Sequence, residues 1–362
     1  MSNTDLPEAA WVTALLTLPG MGPKRLNALL ESESAADAWQ RIRSGGSIQI
    51  EGLSSERIAS WRSATASLDV AEYWNSAQQL RMWMHLHGSN DYPTRLQADI
   101  EPPHLLFGLG AQIPVNPTVA IIGTRSCTSY GKRVAFEFGA ALTEAGVSVV
   151  SGLALGIDAA AHEGALSVEG ASPIGVVGSG LDVIYPKRNT ALWHKVGERG
   201  TLVSETAPGL GPLKWRFPAR NRIIAALSDA VVVIESHESG GSLLTVDAAQ
   251  DRDVPVGAVP GPISSNSSSG SNRLLVDGAT PVLCIEDVFA MIGHQPPTTV
   301  EPGVDDDTRS SALLEALGWN PLLFEELCTR VTLEPSETAL EVERLIAHGL
   351  CVRRGPWIER VS

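Results

Sequence analysis

Cysteine is scarce in this chain: Cys127, Cys284, Cys328 and Cys351 are the only four in 362 residues. They stand far apart, with no CxxC pair and no histidine at zinc-ligand spacing, so no local metal module is expected. Reduced thiols are the natural reading. No stretch approaches the ~18 uninterrupted apolar residues of a membrane span. The opening MSNTDLPEAAW has neither the basic head nor the apolar core of a secretion signal, and a cytoplasmic protein without membrane partners is expected. Positive charge is also short: 27 Lys and Arg against 41 Asp and Glu give a net charge of −14. That balance argues against indiscriminate polyanion binding but leaves room for a local basic groove.

The signatures of several enzyme classes are missing as well. The nearest run to a Walker A loop, GTRSCTSYGKR, puts Gly131 and Lys132 too far from Gly123 and has Arg133 where Ser or Thr is required. GSGLDV, from Gly178 to Val183, lacks the third glycine of a dinucleotide fingerprint. Ser151 is not in a GxSxG elbow, and Asp158 and His162, four apart, are expected to pair with each other on one helix face. Asp182 and Glu205 sit near strand ends as single acids, not as the paired carboxylates of a glycosidase or metal nuclease. Neither catalysis nor a cofactor is expected.

What is present begins with a concentration of cations. Lys214, Arg216, Arg220 and Arg222 fall within nine residues that contain no acid, with Trp215 and Phe217 between them. Cations that meet phosphates, interleaved with rings that stack on bases, suit a single-stranded nucleic acid; an exposed cationic loop beside an ordinary turn is the plainer alternative. A buried-strand run, Ala230 to Ile234, follows, and then Ser239-Gly240-Gly241-Ser242 leads into a helix. Such a turn presents backbone N–H groups to a phosphate.

A 43% hydrophobic fraction is enough for a substantial core, and the length fits two or three domains. Residues 1–65 read as a small helical domain. Its LPGMGPKR turn resembles a helix-hairpin-helix element, serving either as a phosphate contact through Lys24 and Arg25 or as a structural hairpin. Residues 66–291 alternate apolar strands with helices, the pattern of a doubly wound, Rossmann-like α/β sheet covered on both faces. Within it, SSNSSSGSN (264–272) reads as a mobile loop. Residues 292–308 read as a Pro-, Thr- and Asp-rich linker, and 309–362 as three helices and a hairpin around Gly355-Pro356, a winged-helix pattern. From Glu301 to Leu345 there are 11 acidic and 3 basic residues, a net of −8. Phosphate repulsion makes a protein contact or a packing role the better reading for this module.

Taken together, IIGTRSCTSYG, SGLALGIDAAAH, GSGLDVIYPKRN, SETAPG, FPARNRIIAALS, SGGSLLT, VPGPI and GSNRLLVDGA, in this order between Ile121 and Ala279, closely resemble the DprA/Smf family of DNA-processing proteins. LTLPGMGPKRL and SNDYPTRLQADIEPPHLLFGLG extend the resemblance toward the N-terminus, and the winged helix extends it to the other end. Departures are small: GTR where GSR is common, an extra glycine in SGGSLLT, and GSN where GCN is frequent.

The resemblance implies a non-enzymatic homodimer that binds single-stranded DNA without strong sequence preference and loads the RecA recombinase during natural transformation. It places Gly123, Thr124, Arg125, Ser151, Gly152, Lys187, Lys214, Phe217, Arg220, Asn221, Arg222, Gly240, Gly241, Ser242 and Asn272 at the DNA site. Arg125, Lys187 and Lys214 would meet phosphates and Phe217 a base. Either Arg220 or Arg222 is open to a structural role bonded to carbonyls, and Asn272 either holds its loop or caps a helix. Leu274, Leu275 and Val276 are consecutive, so one helix face cannot bury all three. Leu274 and Leu275 are therefore expected at a dimer interface, unless the winged helix covers them. The competing class is a nucleotide phosphoribohydrolase. Its PGGxGTxxE motif is replaced here by SGGSLLTVDAAQ, with no Glu at the catalytic offset.

Overall fold

The computed structural model describes residues 6–295, 308–318, 321–331, 333–347 and 349–361. They fall into two units, divided between Pro296 and Pro297. Residues 296–307, most of the expected linker, lie outside the described residues.

The first unit opens with five helices: α1 (Glu8–Leu16), α2 (Pro23–Leu30), α3 (Ala35–Arg43), α4 (Ser55–Ser67) and α5 (Val70–Gln78). A nine-stranded sheet follows, made of β1 (Trp83–Leu86), β2 (Leu105–Gly110), β3 (Thr118–Ile122), β4 (Ser148–Ser151), β5 (Ile174–Val177), β6 (Thr201–Ser204), β7 (Ala230–Val233), β8 (Val256–Ala258) and β9 (Thr280–Pro281). Between and after the strands run α6 (Thr94–Gln97), α7 (Ser129–Glu144), α8 (Ile157–Ser167), α9 (Thr190–Arg199), α10 (Arg216–Ala226), α11 (Leu243–Gln250), α12 (Ser269–Val276) and α13 (Ile285–Met291).

Strand order is β1-β2-β6-β5-β4-β3-β7-β8-β9. Pairing is parallel from β6 through β9 and antiparallel for β1 with β2 and β2 with β6. All five residues of β3 are buried, as an apolar run covered on both faces requires. Val119 and Ile121 point to one side, against Val134, Phe138 and Leu142 of α7 and Ile157 of α8. Ala120 and Ile122 point to the other, against Ile223 and Ile224 of α10 and Val246 of α11. On the first side α7 and α8 touch through their backbones. A Cβ on Gly139 would lie 2.2 Å from the Ala161 carbonyl, so even alanine there would push the helices apart.

The chain order reverses between β3 and β7. From β3 the chain steps outward through β4, β5 and β6, then α10 carries it back across the sheet to β7 on the other side of β3. The loops leaving β3 and β7 therefore diverge and open a crevice at their carboxyl ends, where ligands bind in doubly wound sheets.

The N-terminal helices share one apolar cluster with this sheet. Trp11, Trp39 and Trp61 belong to the same buried set as Phe107, Trp193 and Leu202. Trp61 also donates its indole N–H to the Pro19 carbonyl at 2.8 Å, closing the helical hairpin.

One sequence expectation is corrected here. The serine-rich stretch 264–272 is a folded turn, with Asn266–Ser268 in 3-10 conformation and α12 starting at Ser269. Ser268 and Ser271 are buried, and Gly270 N–H donates to the Ser236 carbonyl at 2.7 Å. Small side chains serve close approach to the β7 loop here, not mobility.

The second unit contains α14 (Thr308–Leu317), β10 (Leu322–Leu323), α15 (Phe324–Arg330), α16 (Pro335–Ala347), β11 (Cys351–Arg354) and β12 (Trp357–Arg360). Its strands are ordered β10-β12-β11, around a core that includes Leu313, Leu327, Val342 and Ile358. Among the described residues no helix is long and apolar enough to cross a membrane.

Candidate nucleic-acid interface

The crevice at the reversal point is a cavity of about 420 Å³. Gly123, Thr124 and Arg125 reach it from β3, Ala154 from the loop after β4, Asp158 from the first turn of α8, and His237, Gly240, Gly241 and Ser242 from the loop after β7. Phe217, Arg220 and Asn221 of α10 close it.

The first loop is strapped to the second. Thr124 N–H donates to the Glu235 carbonyl at 2.7 Å. The Glu235 carboxylate accepts from Thr128 N–H at 2.8 Å and from its hydroxyl at 2.6 Å. Gly123 is required by this contact, since a Cβ would sit 2.6 Å from the Glu235 carbonyl. Arg125 is thus held out from a rigid turn. It is exposed and has no ion pair among the described residues, and its guanidinium lies 5.3 Å from the centroid of the Phe217 ring. An unpaired cation above an aromatic ring at the end of a parallel sheet can hold a phosphate and flank a flat base.

The other cations of the 214–222 run behave differently. Arg220 lies at the cavity floor, only 7% exposed, and donates to the Gly152 carbonyl at 2.9 Å and to the Val176 carbonyl. Burial lowers its pKa to about 10, opposed by the nearby Asp158 carboxylate. Arg222 faces away from the cavity. It donates to both Glu205 oxygens, at 2.6 and 2.8 Å, and lies 3.5 Å from Glu101. Its expected place at the site is corrected, because these carboxylates use its charge within the fold. Burial pushes the Glu205 carboxyl up, while Arg222 pulls it back. Arg220 is the cation bonded to carbonyls; Arg222 is bonded to acids.

Ser151 and Gly152 also turn inward. The Ser151 hydroxyl donates to the Ile121 carbonyl at 2.6 Å with no exposed surface, tying β4 to β3. Gly152 gives its N–H to Asp158 at 3.1 Å and its carbonyl to Arg220. Asp158 accepts that N–H instead of pairing with His162, which is buried with neither ring nitrogen in a hydrogen bond of good geometry. The expected Asp158–His162 pair is absent because the β4 turn supplies donors on the side where Asp158 points.

Asn221 donates to the Gly241 carbonyl at 3.3 Å, linking α10 to the glycine turn. Ser242 shares a 2.8 Å hydroxyl contact with Ser236. Asn272 holds its loop: its amide accepts from Gly261 N–H at 3.0 Å and donates to the Gly261 carbonyl at 2.9 Å. Lys187 and Lys214 are exposed and outside the cavity lining. The turn that carries Lys187 is nevertheless held. Asn189, in the same 3-10 turn, donates its amide to the Leu153 and Ala154 carbonyls at 2.9 and 3.1 Å. Asn189, Glu235 and His237 were missed from the sequence, although Asn189 stands inside the YPKRN motif.

Lys24 and Arg25 line a separate groove beside the helical hairpin, together with Trp215 and with Pro218, Ala219 and Arg222 of α10. On α12, Leu274 packs against the sheet's own core and Leu275 is half-buried, while Val276 is 78% exposed. The outward residue of the trio is thus Val276, not Leu274.

Residues 83–293, the whole sheet and its helices, match the family described as DNA recombination-mediator protein A. The chain belongs to that family. A DNA processing protein DprA of Streptococcus pneumoniae is 42% identical over 200 residues, covering 55% of this chain and 70% of that protein. A Smf protein of Synechocystis is 33% identical over 305 residues, 82% of this chain and 75% of its own length. Against the DprA proteins of Mycobacterium tuberculosis the match spans about half of the relative's length, at 39% identity. Among solved structures, S. pneumoniae DprA aligns with a TM-score of 0.64 at 31% identity, over 79% of this chain and 98% of that one. Helicobacter pylori DNA processing protein A, described in a single-stranded DNA binding mode, aligns with a TM-score of 0.53 at 31% identity, over 59% and 95% of the two chains.

Proposed function

We propose that this DprA-family protein binds single-stranded DNA without sequence preference at the β3/β7 crevice, as a non-enzymatic DNA-processing factor. The observation that carries the reading is the unpaired Arg125 guanidinium over Phe217, at a cavity rimmed by the Gly240–Ser242 turn. Phosphates meet Arg125 and the turn, Lys187 and Lys214 add attraction from the rim, and bases stack on Phe217. The buried groups Arg220, Asp158 and Asn221 keep the walls in place and touch no ligand.

Loading of RecA, action in natural transformation and assembly as a homodimer in the cytoplasm belong to the same reading through the family. The exposed Val276 and its neighbour Leu275 are the residues of α12 offered to a second copy. The first two helices form a helix-hairpin-helix-like element and the second unit a winged helix. The excess of acid there favours a protein partner over a duplex.

Fluorescence anisotropy with an oligo-dT, a blunt duplex of equal length and a nucleoside monophosphate tests the proposal. Tight, salt-sensitive binding of the oligo-dT alone is expected. Equal affinity for the duplex would overturn the single-strand preference. Saturable binding of the monophosphate alone would turn the reading to a nucleotide-binding protein.

A further inference from the structure

The interface built around Phe217 leaves a second aromatic residue without a role. Tyr185, in the loop after β5, is 40% exposed. Its ring centroid lies 5.6 Å from that of Phe217, with the planes inclined by 40°. The two rings form the wall of a recess of about 50 Å³ that adjoins the main cavity and shares Arg125 and Arg220 with it. That volume holds one or two waters, given about 30 Å³ for a water. A flat ligand would lie over the rings instead of entering between them.

This is not the setting of the chain's more buried tyrosines. Tyr73 and Tyr92 show how a structural tyrosine behaves here: each donates its hydroxyl to a proline carbonyl at 2.7 Å. Tyr185 makes no such bond among the described residues, and its ring, tilted against Phe217, belongs to a side chain 40% exposed. Its position is nevertheless set. Pro186 follows it, then Lys187 on the 3-10 turn that Asn189 clamps to the Leu153 and Ala154 carbonyls. Ala154 itself lines the main cavity. The turn that carries this partly exposed ring and, two residues on, Lys187 is thereby held beside the crevice.

We propose that Tyr185 is a second base-stacking platform, which receives the nucleobase next to the one on Phe217 while Lys187 meets an adjoining phosphate. The interface then holds two successive bases of one strand. Stacking on a ring is indifferent to base identity, so the pair adds affinity without sequence preference. This inference rests on the single-strand reading above.

The test measures anisotropy of an oligo-dT and of the same oligomer made abasic at its central positions. The proteins are wild type, Tyr185→Phe, Tyr185→Leu, Tyr185→Ala and Lys187→Ala, each checked for an unchanged melting curve. Tyr185→Ala and Tyr185→Leu are expected to bind oligo-dT about 5- to 150-fold more weakly, the range of one lost base stack. Their salt dependence should match wild type, and Tyr185→Phe should bind normally. On the abasic oligomer the deficit should disappear. Wild-type affinity in Tyr185→Leu and Tyr185→Ala alongside a weakened Lys187→Ala would overturn the platform and leave the single-strand reading standing. A deficit that persists on the abasic strand would also overturn it. Failure of the wild type to bind oligo-dT would remove both.

Discussion

The guanidinium of Arg125 rests 5.3 Å from the centre of the Phe217 ring, each residue exposing part of itself to the crevice between β3 and β7. The two come from elements some ninety residues apart in sequence, the β3 turn and the first turn of α10. Their contact joins a charge that recognises phosphate to a face that recognises a base. The two functions separate by salt.

Removing the charge is expected to lower affinity for all sequences alike. Each neutralised phosphate contributes about −0.7 to the slope of log K against log salt for single strands. Arg125→Ala and Lys187→Ala should each flatten that slope by about 0.7, measured by anisotropy on oligo-dT across a salt series. An unchanged slope in Arg125→Ala would take Arg125 away from the phosphate.

Removing the ring is expected to act differently. Phe217→Ala should weaken binding by about 1–3 kcal/mol with the salt slope intact. Phe217 is half-buried against the Gly178 turn, so thermal melting must accompany the measurement. Normal binding by a folded variant would make the ring a packing residue only.

Arg222 calls for a stability experiment instead. Arg222→Ala leaves Glu205 buried without its cation, a loss of about 3–5 kcal/mol. Urea denaturation should show that loss, and Arg222→Met combined with Glu205→Leu should recover most of it, since the buried pair is gone and the more exposed Glu101 keeps water. Recovery of stability with oligo-dT affinity near wild type would separate Arg222 from the DNA. If affinity stays low in the stable double variant, Arg222 acts on the ligand after all.

The sheet was legible in the sequence because its strands are apolar on both faces. The run at Thr118–Ile122 needs no partner to be read as buried, and the glycine turns that follow the strands mark their ends. The site was legible as a set of segments, but the direction of each side chain was not. Arg220 and Arg222 look outward-facing in a run without acids. Yet the groups that hold them, the Gly152 and Val176 carbonyls and Glu205, come from other strands. The Ser151 hydroxyl is likewise used by β3, and Gly152, whose N–H and carbonyl go to Asp158 and α10, still lines the recess beside Phe217. The serines of 264–272 read as mobile because composition reports polarity. Their smallness, which lets Gly270 reach the Ser236 carbonyl, is the property the fold uses.

Burial of His162 gives a pH dependence whose sign can be worked out. Its pKa falls to about 4 from 6.5, chiefly through burial, opposed by the Ser151 backbone and aided by Arg220. The folded protein therefore keeps the ring neutral, while the unfolded chain takes up a proton as pH drops below about 6.5. The stability from the neutral ring is full above the unfolded pKa. It declines between about pH 6.5 and 4, by about 3 kcal/mol in all. Asp158 and Glu205, whose carboxyls are pushed up by burial, act in the opposite direction on acidification, because the folded state protonates them first. Comparison with His162→Leu cancels their part, since both proteins carry them. Urea unfolding at intervals from pH 7.5 to 4 should show the wild type losing stability relative to His162→Leu as pH falls, with the gap constant above about pH 7. Parallel curves across the range would mean that His162 titrates alike in both states, and that a solvated or hydrogen-bonded ring replaces the buried neutral one.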